Sequence, residues 1–259
     1  MDTYLEQLNE LLPIHHKAAG FNPTLHKLYP VAVVLDEQFL IYDSDGDQVG
    51  YQFVKTAPVP MPIPKGVRAA FQLEAYGGQI ACVVTPEVFD TPEGYVTILH
   101  EFVHCYQYET CEQALKGKLD IAWQAQEKGD FMWEIQHPFP YQAKSFITAY
   151  VDFFDAIEIG HEQKILELRH ELRTDLGLHD YEYMLWQEWK EGFARWVENK
   201  LQHNLGLPVN HGGQSPPFSR VTFYAGGAAW IDFLHQNDPA LVQDLRLLFN
   251  RMNLPTRKN

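Results

Sequence analysis

His100-Glu101-Phe102-Val103-His104 constrains this chain more than any other stretch. Residues four apart on a helix lie on one face. If the segment is helical, its two imidazoles can grip a single metal ion. Glu101 sits about 100° further around the helix, where it can address a water beside the metal instead of the metal itself. The flanking pattern supports a helix. Tyr95, Leu99, Phe102, Val103 and Tyr106 recur at helical spacing as one apolar stripe, and His100, His104, Gln107 and Cys111 form another. A core face beside a polar face turned toward a cleft is what a metal site needs. The plainer alternative is a surface helix with two unrelated histidines, and the apolar run from Tyr95 to Leu99 argues against it.

Zinc in hydrolases takes three protein ligands and leaves a position open for water, so a third donor is required. The metzincin pattern needs a glycine and a histidine where this chain has Gln107 and Thr110, and no Gly-Thr-x-x-Asp stretch follows to supply an aspartate. A glutamate on a later helix remains. The best candidate lies between Trp186 and Glu198. Trp186, Trp189, Phe193, Trp196 and Val197 share one helical face, and Glu188, Glu191, Arg195 and Glu198 share another. Gly192 and Ala194 keep the backbone around Glu191 slim. A glycine inside a helix costs about 1 kcal/mol relative to alanine, and close approach of a neighbouring helix would explain it. An exposed acidic face on an amphipathic helix is the alternative for this segment.

With these residues in place, the chain resembles the gluzincins, the clan of thermolysin and the membrane alanyl aminopeptidases. The resemblance rests on His-Glu-Phe-Val-His and on Glu191-Gly192-Phe193-Ala194-Arg195-Trp196-Val197-Glu198, and covers roughly residues 75 to 236 as short motifs. It implies that Glu191 is the third zinc ligand and that Glu198 orients a ligand histidine. Tyr224-Ala225-Gly226-Gly227-Ala228 is similar to the stretch whose tyrosine steadies the oxyanion, which gives Tyr224 that role by resemblance. Three features depart from the clan pattern. Glu191 lies 87 residues beyond His104, so a helical insertion, spanning about residues 105 to 190, must intervene. Gly77-Gly78-Gln79-Ile80-Ala81 lacks the glutamate that holds a substrate's amino group in the aminopeptidases. Arg195 replaces the acidic residue found four positions after the third ligand in thermolysin, which leaves that duty to Glu198.

At 259 residues and 46% apolar, one domain can bury a sizeable core. The formal net charge of −14 argues against nucleic acid and anionic membranes as partners. Cys82, Cys105 and Cys111 show no C-x-x-C spacing and read as buried free thiols of a reducing compartment. Met1-Asp2-Thr3-Tyr4-Leu5 has no basic start and no long apolar run. No stretch reaches the roughly 18 apolar residues of a membrane span. The expectation is a cytoplasmic protein.

The pattern predicts a helix over 3–19 and strands at Val31 to Leu35, Phe39 to Tyr42 and Val49 to Val54, with Asp43-Ser44-Asp45-Gly46-Asp47 as a hairpin turn. Residues 57 to 66 read as an extended proline-rich connector. Gln79 to Thr85 reads as an edge strand. The resemblance makes it the strand that pairs with an extended substrate, so Gln79, Ile80 and Ala81 are substrate-binding candidates. Helices are expected at 95–115, 142–158, 162–175, 181–204, 224–236 and 239–251. The loop from Gly206 to Ser219 could form a wall or lid, with His211 and Arg220 as further substrate-binding candidates.

The expected architecture is α+β: a small, mostly antiparallel N-terminal sheet packed on a larger, mainly helical gluzincin-like half. Residues 1–259 are taken as a single zincin-like catalytic domain, with a strand-rich lobe at 1–94 and a helical lobe at 95–259. The expected activity is peptide hydrolysis with one Zn2+ per chain held by His100, His104 and Glu191, and with Glu101 and Tyr224 catalytic. The partner is a peptide or protein substrate. Two alternatives stand beside it: a catalytically silent zinc-binding scaffold that recognises a peptide or protein, and a zinc hydrolase of a non-peptide amide.

Overall fold

The computed structural model describes residues 3–44 and 50–254. The fold is α+β, with the sheet in the N-terminal part and a larger helical C-terminal part. The chain forms two compact units, Met1–Thr110 with Val197–Val209, and Cys111–Trp196 with Asn210–Asn259.

The first unit opens with helix α1 (Thr3–Ala19) and continues into strands β1 (Val31–Leu35), β2 (Gln38–Ser44), β3 (Tyr51–Pro58), β4 (Arg68–Leu73) and β5 (Gln79–Val84). They form one sheet in the order β3-β2-β1-β5-β4. Three pairings are antiparallel, and β1 with β5 is parallel in the register Val31↔Cys82. β1 is apolar throughout, and Val31 to Val34 are buried on both faces, as a central strand requires. Asp36 and Glu37 both take positive φ, at 48° and 60°, which closes β1 onto β2 in a two-residue turn of the primed kind. β2 and β3 pair up to Ser44↔Tyr51. Asp43 and Ser44, expected to open the hairpin turn, are still part of β2, and the rest of that expected turn, 45–47, lies outside the described residues.

One face of the sheet is built from Ala32, Val34, Phe39, Ile41, Ala57, Leu73, Ala81 and Val83, and Val59 and Ile63 of the proline-rich connector pack against it. The connector thus covers apolar surface that would otherwise be wet. Helix α2 (Pro92–Gln107), which carries both histidines, packs against β4 and β5. The strand expected at the edge of the sheet is therefore interior: β5 lies between β1 and β4. β4 is the edge. Its Arg-Ala-Ala-Phe-Gln-Leu sequence has no β-branched residue and only one fully buried side chain, so its strand signal is weak.

The second unit holds α3 (Gln113–Lys116), α4 (Asp120–Lys128), α5 (Trp133–Gln136), α6 (Lys144–Glu158), α7 (Glu162–Asp175), α9 (Val221–Asn237) and α10 (Leu245–Met252). The 28-residue helix α8 (Leu178–Leu205) begins in this unit and ends in the first. Aromatic side chains dominate the interior here. Phe139, Phe146, Tyr150, Phe218 and Phe223 make a chain of ring contacts at centroid separations of 4.9–6.1 Å. Within that core Arg169 forks onto Glu188, with Nη1 2.7 Å from Oε1, and the Tyr150 hydroxyl donates to the same carboxylate. Arg169 and Glu188 are essentially unexposed, so neither charge would be tolerable without the other.

Candidate metal centre

Helix α2 starts with Pro92 at its first position, after the extended Thr91. A Cβ at Gly94 would overlap the Val88 carbonyl, so only glycine lets the preceding 3₁₀ turn (Pro86–Phe89) pack onto the first turn of the helix. From Tyr95 to Cys105 every residue but Thr97 is buried, the polar stripe included. Buried polar groups need partners, and the two histidines have them. His100 Nδ1 lies 2.8 Å from Glu198 Oε2, and His104 Nδ1 lies 2.8 Å from Gln107 Oε1.

These partners fix the ring chemistry. A carboxylate can only accept, so His100 carries its proton on Nδ1; the Gln107 carbonyl oxygen holds His104 in the same tautomer. Both Nε2 atoms then present lone pairs, and they face each other at 3.2 Å. Two lone pairs at that distance repel unless a metal ion or a shared proton lies between them. Nitrogens bound tetrahedrally at about 2.0–2.1 Å from one zinc ion would be about 3.3–3.4 Å apart. The pair therefore fits zinc in spacing, tautomer and outer support. Glu198, expected to orient a histidine, is the residue that meets His100 Nδ1.

Glu191 and Glu198 are seven residues apart on the continuous helix α8, two turns along one face. A carboxylate oxygen of Glu191 and one ring nitrogen each of His100 and His104 all lie within 4.8 Å of one another. Two imidazoles and one carboxylate form a donor set suited to catalytic zinc. The expected trio is thus brought together. Glu188 is excluded as an alternative ligand, because Arg169 and Tyr150 consume its oxygens.

The slim backbone expected around Glu191 has its counterpart in α9. A Cβ at Gly192 would lie 2.5 Å from Gly227 Cα, and one at Gly227 would overlap the Glu188 carbonyl. Gly226 is packed under the Tyr150 ring in the same way. Gly227 therefore seats α9 directly on α8, and Gly226 seats it against Tyr150 of α6. Tyr224 is half-buried, and two cations approach its ring: the guanidinium carbons of Arg195 and Arg220 are 5.5 Å and 5.3 Å from its centroid. Arg220 Nη1 is 3.5 Å from Glu191 Oε1. Burial works against the charge of Arg220, but Tyr224 and Glu191 outweigh it and raise its pKa.

The other candidates are placed less favourably. Gln79 is exposed, whereas Ile80 and Ala81 are buried, Ala81 in the sheet core. All three pair with β4 through Leu73, Gln72 and Phe71, so a substrate strand cannot take that side of β5. His211 is exposed in its loop, and the Gln214 amide donates to its carbonyl. Cys82, Cys105 and Cys111 are free and buried. Burial pushes the Cys82 and Cys105 thiols up, and the nearby Glu101 charge pushes them further, so they are held as neutral thiols. Gln107 is the histidine partner that motif reading misses. Its place in the polar stripe three residues after His104 was the available signal.

Comparison with protein-family models, with curated proteins and with solved structures finds no match. Among the described residues no helix is long and apolar enough to cross a membrane.

Proposed function

We propose that this chain is a zinc-dependent peptidase in which His100, His104 and Glu191 hold one Zn2+. The observation that carries the reading is the convergence of two Nε2 lone pairs at 3.2 Å, each ring locked from behind by Glu198 or Gln107. A histidine pair serving only to pack a core would not need two acceptors aiming both lone pairs at one point. When bound, the zinc ion supplies a Lewis acid and lowers the pKa of its water toward 7.

The protein's own groups then divide the work. Glu198 and Gln107 keep both imidazoles in the ligating tautomer. Glu101, one position from His100 and buried, takes a proton from the attacking water and delivers it to the leaving amine. Tyr224 donates its hydroxyl to the oxyanion of the tetrahedral intermediate, and the flanking guanidiniums favour negative charge there. β4 has no strand on its outer side among the described residues and packs beside α2, so it takes the substrate-pairing role expected of β5.

The test is a broad peptide-library screen with the zinc-loaded protein and its Glu101→Gln variant. The amide cannot accept the water's proton, so the variant is expected to keep zinc and fold yet lose nearly all cleavage. No cleavage by the wild type, with equal partner binding by both proteins, would favour a zinc-binding scaffold.

A further inference from the structure

Arg220 is a cation incompletely neutralised by its surroundings. It stands at the N-terminal boundary of α9 with its side chain one-third exposed. Its polar contacts all pass through Nη1, to Gln187 Oε1 and Glu191 Oε1, each at the long limit of 3.5 Å. Its guanidinium carbon lies over the Tyr224 ring, 5.3 Å from the centroid. Nε and Nη2 have no partner among the described residues. Glu191, the one carboxylate paired with Arg220, is also a member of the metal-holding cluster. A carboxylate shared with a divalent cation has less charge left for a guanidinium. Arg220 therefore calls for a second anion, and its planar fork matches a carboxylate.

We propose that Arg220 binds the free carboxylate at the end of a peptide substrate, so that cleavage occurs one or two residues from the carboxyl terminus. This rests on the peptidase reading. The reach follows from the geometry. A carboxylate on the open edge of the guanidinium would sit about 6–8 Å from Glu191, and an extended peptide spans about 3.3–3.6 Å per residue, which leaves room for two residues at most. The segment Gly77-Gly78-Gln79-Ile80-Ala81, with no acidic residue to clamp a substrate amine, is consistent with anchoring at the other end.

The experiment uses N-acetyl-tetraalanine as the free acid and as the carboxamide, with a third peptide amidated at its end but carrying glutamate as its last residue. The zinc-loaded wild type is expected to cleave the free acid with kcat/KM about ten- to a hundredfold above the carboxamide. Arg220→Ala and Arg220→Gln should bring that ratio to within about twofold, and Arg220→Lys should restore part of it. A wild-type ratio near one overturns the proposal, as does an unchanged ratio in Arg220→Ala. Glutamate-amide cleaved as well as the free acid overturns the terminal assignment. Calorimetry of the acid and the carboxamide on Glu101→Gln separates the two readings. Tenfold tighter acid binding that depends on Arg220, without hydrolysis by the wild type, sinks the peptidase reading and keeps the carboxylate site. Equal binding sinks the carboxylate site whatever the hydrolysis.

Discussion

Replacing Gly192 with alanine tests how Glu191 is positioned. The new Cβ would lie 2.5 Å from Gly227 Cα, 2.8 Å from its carbonyl carbon and 3.0 Å from Ala228 N. Non-bonded carbons settle at about 3.5–4.0 Å, so α8 and α9 must part by about 1 Å. The obstacle is backbone, and no side-chain rotation relieves it. Overpacking of this kind costs about 1–3 kcal/mol, and alanine's better helix propensity offsets about 1 kcal/mol of that. The expected net loss is about 1–2 kcal/mol, read as a lower urea midpoint at unchanged slope. The same displacement carries Glu191 and Tyr224 apart, and a misplacement of about 1 Å can lower activity on the order of a hundredfold. Gly177→Ala is the control, since nothing lies within 4 Å of its Cβ. A Gly192→Ala protein with the wild-type midpoint and full activity would refute the close-packing account of Glu191.

Glu198→Ala should weaken zinc affinity about ten- to a hundredfold, measured by chelator competition, because His100 loses the acceptor that fixes its tautomer; Glu198→Gln, whose amide oxygen can still accept, should lose less. Tyr224→Phe should lower kcat about tenfold or more with little change in KM, as expected for a hydroxyl that acts on the oxyanion; an unchanged kcat would return Tyr224 to a packing role. For Glu134, burial raises the carboxyl pKa, but Lys190 and Lys116 outweigh it and hold the value at about 2, below the usual 4.5. A depressed carboxyl stabilises the fold fully above about pH 4.5 and loses that contribution as pH falls toward 2. Urea midpoints of Glu134→Gln should therefore fall less steeply than wild type across that window, and parallel curves would count against the pairing.

The long amphipathic helices were legible because their apolar period is strong. The expected 162–175 helix coincides with α7, and 142–158 and 181–204 differ from α6 and α8 by no more than three residues at either end. The expected 95–115 helix is also present, but it passes through a π-turn at Tyr108–Glu112 before α3. One extra residue in a turn leaves the hydrophobic pattern almost unchanged. Helices α4 and α5 escaped because their neighbourhood breaks the inside–outside rule: Trp123, Phe131, Met132 and Ile135 are all exposed. The interior place of β5 could not be read locally. Its sequence marks a strand, but its neighbours are set by β4, whose own signal is weak. At the site, spacing singled out His100 and His104 and slim neighbours singled out Glu191, the three residues that the structure clusters. The pairing of His100 with Glu198 came only through the resemblance. Gln107 needed coordinates, because a glutamine three residues from a histidine has many ordinary uses.

Metal analysis of the protein purified without chelators tests the central claim most directly. The account predicts one zinc per chain in the wild type, loss of that zinc in His100→Ala, His104→Ala and Glu191→Ala, and retention in Glu101→Gln. Full zinc occupancy in Glu191→Ala, or a wild-type protein that takes up no zinc when it is supplied, would contradict it.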